Sequence, residues 1–159
     1  MKVTIIAVGK IKENYLKEGI KEYSKRLSRY CNLEIIEVPD QQAPDNLSPV
    51  QEEQVKIVEG DGILKKIKTG TIVVALDIKG MKLGSEDFAD KINKLAISGS
   101  SHITFIIGGS LGLDHRITDM ADIRLSLSDM TFPHQLTRLI LLEQIYRVFK
   151  IINGETYHK

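Results

Sequence analysis

Five continuous apolar runs, KVTIIAV, LEIIEV, TIVVALD, HITFII and IRLSLS, alternate along this chain with stretches of helical periodicity. Runs of this kind, without polar alternation, suit strands that are covered on both faces, as parallel sheets between helical layers are. The pattern predicts an α/β fold with a mostly parallel sheet flanked by helices. Over residues 13–29, Tyr15, Leu16, Ile20, Tyr23 and Leu27 recur at helical spacing, and Lys17, Lys21 and Lys25 form a row at every fourth position. The proline-rich stretch 39–49 reads as a loop, and residues 50–68 as a polar helix broken near Gly60 and Gly62. Ser85 is the expected N-cap of a helix to about Ser98, with Gly99 ending it. Residues 134–152 are apolar nearly all round, so this helix needs cover on two sides, one from the sheet and the second, on this reading, from a partner subunit.

With 159 residues and no linker or repeat, residues 1–159 read as one domain. The first apolar run is too short for a membrane span and is read as a buried strand. A single cysteine, Cys31, and no CxxC or Cys/His cluster favour a reducing, cytoplasmic setting and argue against a structural metal site. The net charge of +1 excludes a grossly basic nucleic-acid binder, but residues 1–30 carry eight Lys/Arg against three Glu. That end of the chain can offer a cationic face to phosphates.

Three strand ends carry the candidate chemistry. Ala75-Leu76-Asp77, Ile107-Gly108-Gly109 and the segment 126–133 would adjoin at one edge of a parallel sheet, where open α/β sheets bind ligands. Pro133 suits the first turn of the last helix, which puts Thr131 or Phe132 at its cap. Gly108-Gly109-Ser110-Leu111-Gly112 also matches the G-x-S-x-G nucleophile elbow, so a small serine hydrolase using Ser110 is one alternative, its partners drawn from Asp129, His134 and His158. The first loop has one glycine, Gly9, and no dinucleotide or P-loop motif. Glu143 and Arg147 are spaced for a helix-surface ion pair, whereas Arg138 has no such partner.

IIAVGK, IIEVPD, IIGGSLGL and LSLSDMTFPHQLTRLILLEQIYRVFKIINGETYHK, taken together and in this order, resemble the RlmH family of SPOUT-class methyltransferases. The resemblance runs through essentially the whole chain. It implies a SPOUT fold with a C-terminal trefoil knot, a homodimer, and methyl transfer from S-adenosyl-L-methionine to N3 of a pseudouridine in 23S rRNA on the assembled ribosome. It implies a cofactor pocket at Leu76, Gly108, Leu127, Ser128, Asp129, Met130, Thr131 and Phe132. Methylation at N3 releases a proton, for which His158, beside Tyr157, is a candidate acceptor, with Arg147 orienting the target. Arg138, Lys10, Lys12, Lys17, Lys21 and Lys25 are candidate RNA contacts. No membrane or metal partner is expected, and a non-catalytic ribosome-binding module is the remaining alternative.

Overall fold

The computed structural model describes residues 1–157. Five strands, β1 (Lys2–Val8), β2 (Asn32–Val38), β3 (Ile72–Lys82), β4 (His102–Ile107) and β5 (Ile123–Ser126), form one sheet in the order β2-β1-β4-β3-β5. Every neighbouring pair is parallel. The helices are α1 (Asn14–Leu27), α2 (Pro49–Leu64), α3 (Ser85–Ile97), α4 (His115–Met120) and α5 (His134–Ile152).

The continuous apolar runs have a direct cause. Along β1, Val3, Ile5 and Ala7 join a core with residues of α1, α3 and α5, while Ile6 and Val8 join a second core with Ile63 of α2 and Ile117 of α4. Both faces of the sheet are buried, so neither parity of strand residue is free to be polar. Phe105, Ile5, Ile6 and Ile106 are essentially inaccessible at its centre.

Four expectations are corrected. α2 runs unbroken from Pro49 to Leu64, opened by a Ser48–Gln51 capping box. Its glycines sit where the helix presses on Asp114 and Val38, so they serve close packing and not a break. Ser85 is the first helical residue and not the cap; Gly84 takes that place and Ser85 Oγ donates to Gln144 Oε1 at 2.7 Å, tying α3 to α5. Pro133 itself is the N-cap of α5, and no side chain caps that end. Finally, no residue of α5 is exposed: the sheet lies beneath it, Leu139 and Tyr146 pack on α1, and Gln144 meets α3. The all-round apolar character of α5 is therefore satisfied within one chain and does not by itself require a second subunit.

Among the described residues, no helix is long and apolar enough to cross a membrane.

Candidate active site

Because β4, β3 and β5 are adjacent and parallel, the turns leaving their carboxyl ends meet. They form an open cavity of about 150 Å³ whose walls include Leu76, Asp77, Gly108, Leu127, Met130 and Phe132, with His134 and Thr137 of α5 on one side. An open groove of about 900 Å³ shares Leu76, Asp77, Phe132 and His134 with it and adds Lys56, Lys79, His115 and Arg124. The last wall is a tight turn: Ser126 Oγ donates to Ser128 O at 3.1 Å, and the Met130 N–H donates to Ser128 Oγ at 2.9 Å. Met130 is nonetheless 76% exposed, an apolar side chain left in the open at the mouth.

Asp77 anchors the rim. Its Oδ1 accepts the Lys79 N–H at 3.0 Å, and Arg124 donates to Oδ2 at 3.0 Å from Nε and 2.5 Å from a terminal nitrogen. Burial disfavours its charge, but Arg124 and the Lys79 amide outweigh burial and hold the carboxyl below its usual range.

Seven of the eight expected cofactor residues, Leu76, Gly108, Leu127, Ser128, Met130, Thr131 and Phe132, line this cavity. Asp129 does not, since its side chain turns outward to an ion pair with Lys82. Arg138 is placed inside the protein, its side chain 4% exposed, donating to Glu37 Oε2 at 2.8 Å and to Gly9 O at 3.1 Å. It is a tie between the ends of β1 and β2 and the start of α5, not the surface cation that an RNA contact needs. Lys10, Lys12, Lys17, Lys21 and Lys25 are all exposed, and none forms an ion pair with another described residue.

Tyr157 and Arg147 do come together. Tyr157 donates from its hydroxyl to Glu143 Oε1 at 3.1 Å, Arg147 holds the same oxygen at 2.7 Å, and the guanidinium lies 4.7 Å from the centre of the Tyr157 ring. Burial, with hydrogen bonds to Tyr23 and Glu143, raises the Tyr157 pKa and keeps the phenol protonated. This cluster stands nine residues beyond His134 on α5, about 14 Å along the axis, so one chain does not merge it with the cavity. His158 lies outside the described residues.

Among the described residues the hydrolase alternative finds no machinery. Ser110 is exposed with no hydrogen bond to a described residue, and its motif forms a Gly109–Gly112 turn well before α4 begins. Burial pushes the Cys31 thiol up to about 11, which removes it as a nucleophile near neutrality. Glu53, Asp114 and His115 approach one another beside the groove, but Arg116 already holds the buried Asp114 at 2.5 Å.

Glu59 escaped sequence reasoning. It is 5% exposed, accepts the Gln41 N–H at 3.0 Å, packs on Gly109, and leaves Oε1 without a partner. A lone acid in a polar helix carries no signal for this. Burial raises its pKa, so the folded state binds its proton more tightly than the unfolded chain does. Its contribution is thus fully present at acid pH and is lost as pH rises through the raised value. Glu59→Gln, a mimic of the neutral form, should gain about 1 kcal/mol at pH 7 and nothing near pH 4, as urea unfolding at the two pH values would read.

A family model described as Predicted SPOUT methyltransferase matches residues 1–158. The protein named Ribosomal RNA large subunit methyltransferase H from Acetivibrio thermocellus is 67% identical over 159 residues, covering 100% of both chains. Its namesake from Ruminiclostridium cellulolyticum is 60% identical with the same coverage. Among solved structures, the tRNA (m1G37) methyltransferase from Aquifex aeolicus has a TM-score of 0.54 at 17% identity, over 100% of this chain and 77% of that one. A probable methylase family protein from Haemophilus influenzae has a TM-score of 0.56 at 10% identity, over 99% and 70%. At such identities these two speak for the fold alone.

Proposed function

The chain belongs to the SPOUT methyltransferase family, and on that premise we propose that it transfers a methyl group from S-adenosyl-L-methionine to N3 of a pseudouridine in 23S rRNA, acting as a cytoplasmic homodimer on the assembled ribosome. The observation that carries the reading is the cavity built from three strand ends, in which seven residues expected from sequence converge.

The residues suit this cofactor. Gly108 offers backbone without a Cβ in the way, Leu76, Leu127, Met130 and Phe132 supply apolar walls for a nucleoside, and Ser128 and Thr131 add hydroxyls at its edge. The cavity of about 150 Å³ is below the roughly 300 Å³ usual for ligand sites, so the adjoining groove is part of the proposed site. S-adenosylmethionine supplies an already activated sulfonium methyl. The protein's task is then alignment, exclusion of water and disposal of one proton. The unpaired lysines 10, 12, 17, 21 and 25 would hold phosphates without reading bases, and a modest net charge suits a target recognised also through its shape on the ribosome.

Calorimetry with S-adenosylmethionine, followed by incubation of labelled cofactor with whole ribosomes and mapping of the modified nucleotide, tests this. Binding and a single methylated pseudouridine are expected; no detectable heat would sink the proposal. Ser110→Ala should keep methyl transfer within about twofold of wild type, whereas a Ser110 hydrolase would lose all activity.

A further inference from the structure

A neutral imide nitrogen must give up its proton when it is methylated. This inference rests on the reading above and concerns where that proton goes. Among the described residues, two side chains with accessible acid-base chemistry line the cavity, Asp77 and His134. Asp77 is committed to Arg124 and the Lys79 amide, which weaken it as a base. Tyr157 is a protonated donor already given to Glu143. His134 differs from both. It lines the cavity and the open groove alike, and neither ring nitrogen has a hydrogen-bond partner among the described residues. Its Nε2 would be 3.6 Å from a Cβ built on Gly9, so it stands where the end of β1 meets the start of α5.

We propose that His134 is the proton acceptor for the methylated nitrogen. The N3–H bond breaks as its proton passes to an imidazole nitrogen. The pair left on N3 forms the new N–C bond while the S–C bond of the donor breaks, and that electron pair returns to sulfur. Sulfonium becomes neutral thioether, the methylated nucleobase is neutral, the positive charge passes to the His134 imidazolium, and that imidazolium loses its proton to water in the groove.

The surroundings favour the free-base form that this role needs. Burial lowers the His134 pKa, Asp40 on the loop after β2 opposes the fall, and Arg138 one turn along α5 adds to it. Arg138 is itself paired with Glu37 of β2, Asp77 on the facing rim is neutralised by Arg124 of β5, and Glu59 of α2 is drawn toward its neutral form. Asp40 is thus the one anion drawing a proton toward the ring, and burial outweighs it.

The first test needs no turnover. Proton NMR of the cofactor-free protein, with His134 assigned by its loss in His134→Gln, should show an imidazole neutral at pH 7 that titrates below the ordinary histidine range. A midpoint at or above that range overturns the proposal. In single turnover on ribosomes, His134→Gln should fall about 100-fold at pH 7, and the deficit should shrink as rising pH ionises the imide unaided. Cofactor affinity by calorimetry should stay within about threefold. A wild-type rate, a deficit that is independent of pH, or a matching loss of cofactor affinity each removes His134 as the base. Wild-type protein that neither binds cofactor nor methylates ribosomes would instead overturn the function on which the inference rests.

Discussion

Gly108→Ala is expected to lower S-adenosylmethionine affinity at least about tenfold, some 1.4 kcal/mol, in a protein that still folds. An alanine Cβ at this position would lie 2.8 Å from the carbonyl carbon of Gly112, 2.9 Å from its oxygen and 3.1 Å from Leu113 Cδ2. Two of these neighbours are backbone, so no change of rotamer relieves the clash. The turn must move instead, and it is short and closed on itself, the Gly112 N–H donating to Gly109 O at 3.1 Å. That movement carries Gly108, Gly109 and Gly112 together, and all three line the cavity. The fold has less at stake, because the buried residues of β4 end at Ile107. Calorimetry beside a thermal melt separates the outcomes: lost affinity with a fall of only a few degrees is expected, and unchanged affinity would show that the cofactor does not rest on this wall.

How much of this was legible from residue order depends on whether the cause is local. The five strands and the helical layers were, because burial on both faces writes itself into consecutive residues such as Ile5, Ile6 and Ala7. The capping box of α2 is equally local, yet Gly60 and Gly62 misled, because their neighbours Asp114 and Val38 are distant in sequence. Sheet order was not legible, since an apolar run says that a strand is covered and nothing about which strand lies beside it. The same holds at the site. Seven residues of the cavity followed from strand ends and a family resemblance, but the outward turn of Asp129 depends on Lys82, and the burial of Arg138 depends on Gly9 and Glu37. Sequence offered His134 only as a possible partner of Ser110, because its setting is made by β1, the loop after β2 and α5 together.

The largest loss of stability is expected from Gly80→Ala, a site with no part in the chemistry. β3 pairs with β5 through Leu76↔Leu125, then shifts register and pairs again through Met81↔Leu125 and Lys82↔Ser126. Gly80 lies inside that shift. A Cβ there would be 2.6 Å from both the carbonyl carbon and the oxygen of Arg124 and 2.8 Å from the Leu125 nitrogen. All three atoms are β5 backbone, so the strand must be pushed off β3, which withdraws the buried Ile123 and Leu125 from the core. Overpacking that a side chain can absorb costs about 1–3 kcal/mol; where only backbone can yield, about 3 kcal/mol or more is expected, a fall in Tm near 10 °C for a domain of this size. Gly84→Ala is the control, because its Cβ would meet nothing nearer than Asp87 Oδ2 at 3.7 Å; as the N-cap of α3 it should cost only about 1 kcal/mol through a poorer cap, a fall in Tm of about 3 °C. Since β5 runs directly into the 126–132 wall, Gly80→Ala should also weaken cofactor binding in whatever fraction folds, and a melt equal to the control would mean that the β3–β5 contact yields without cost.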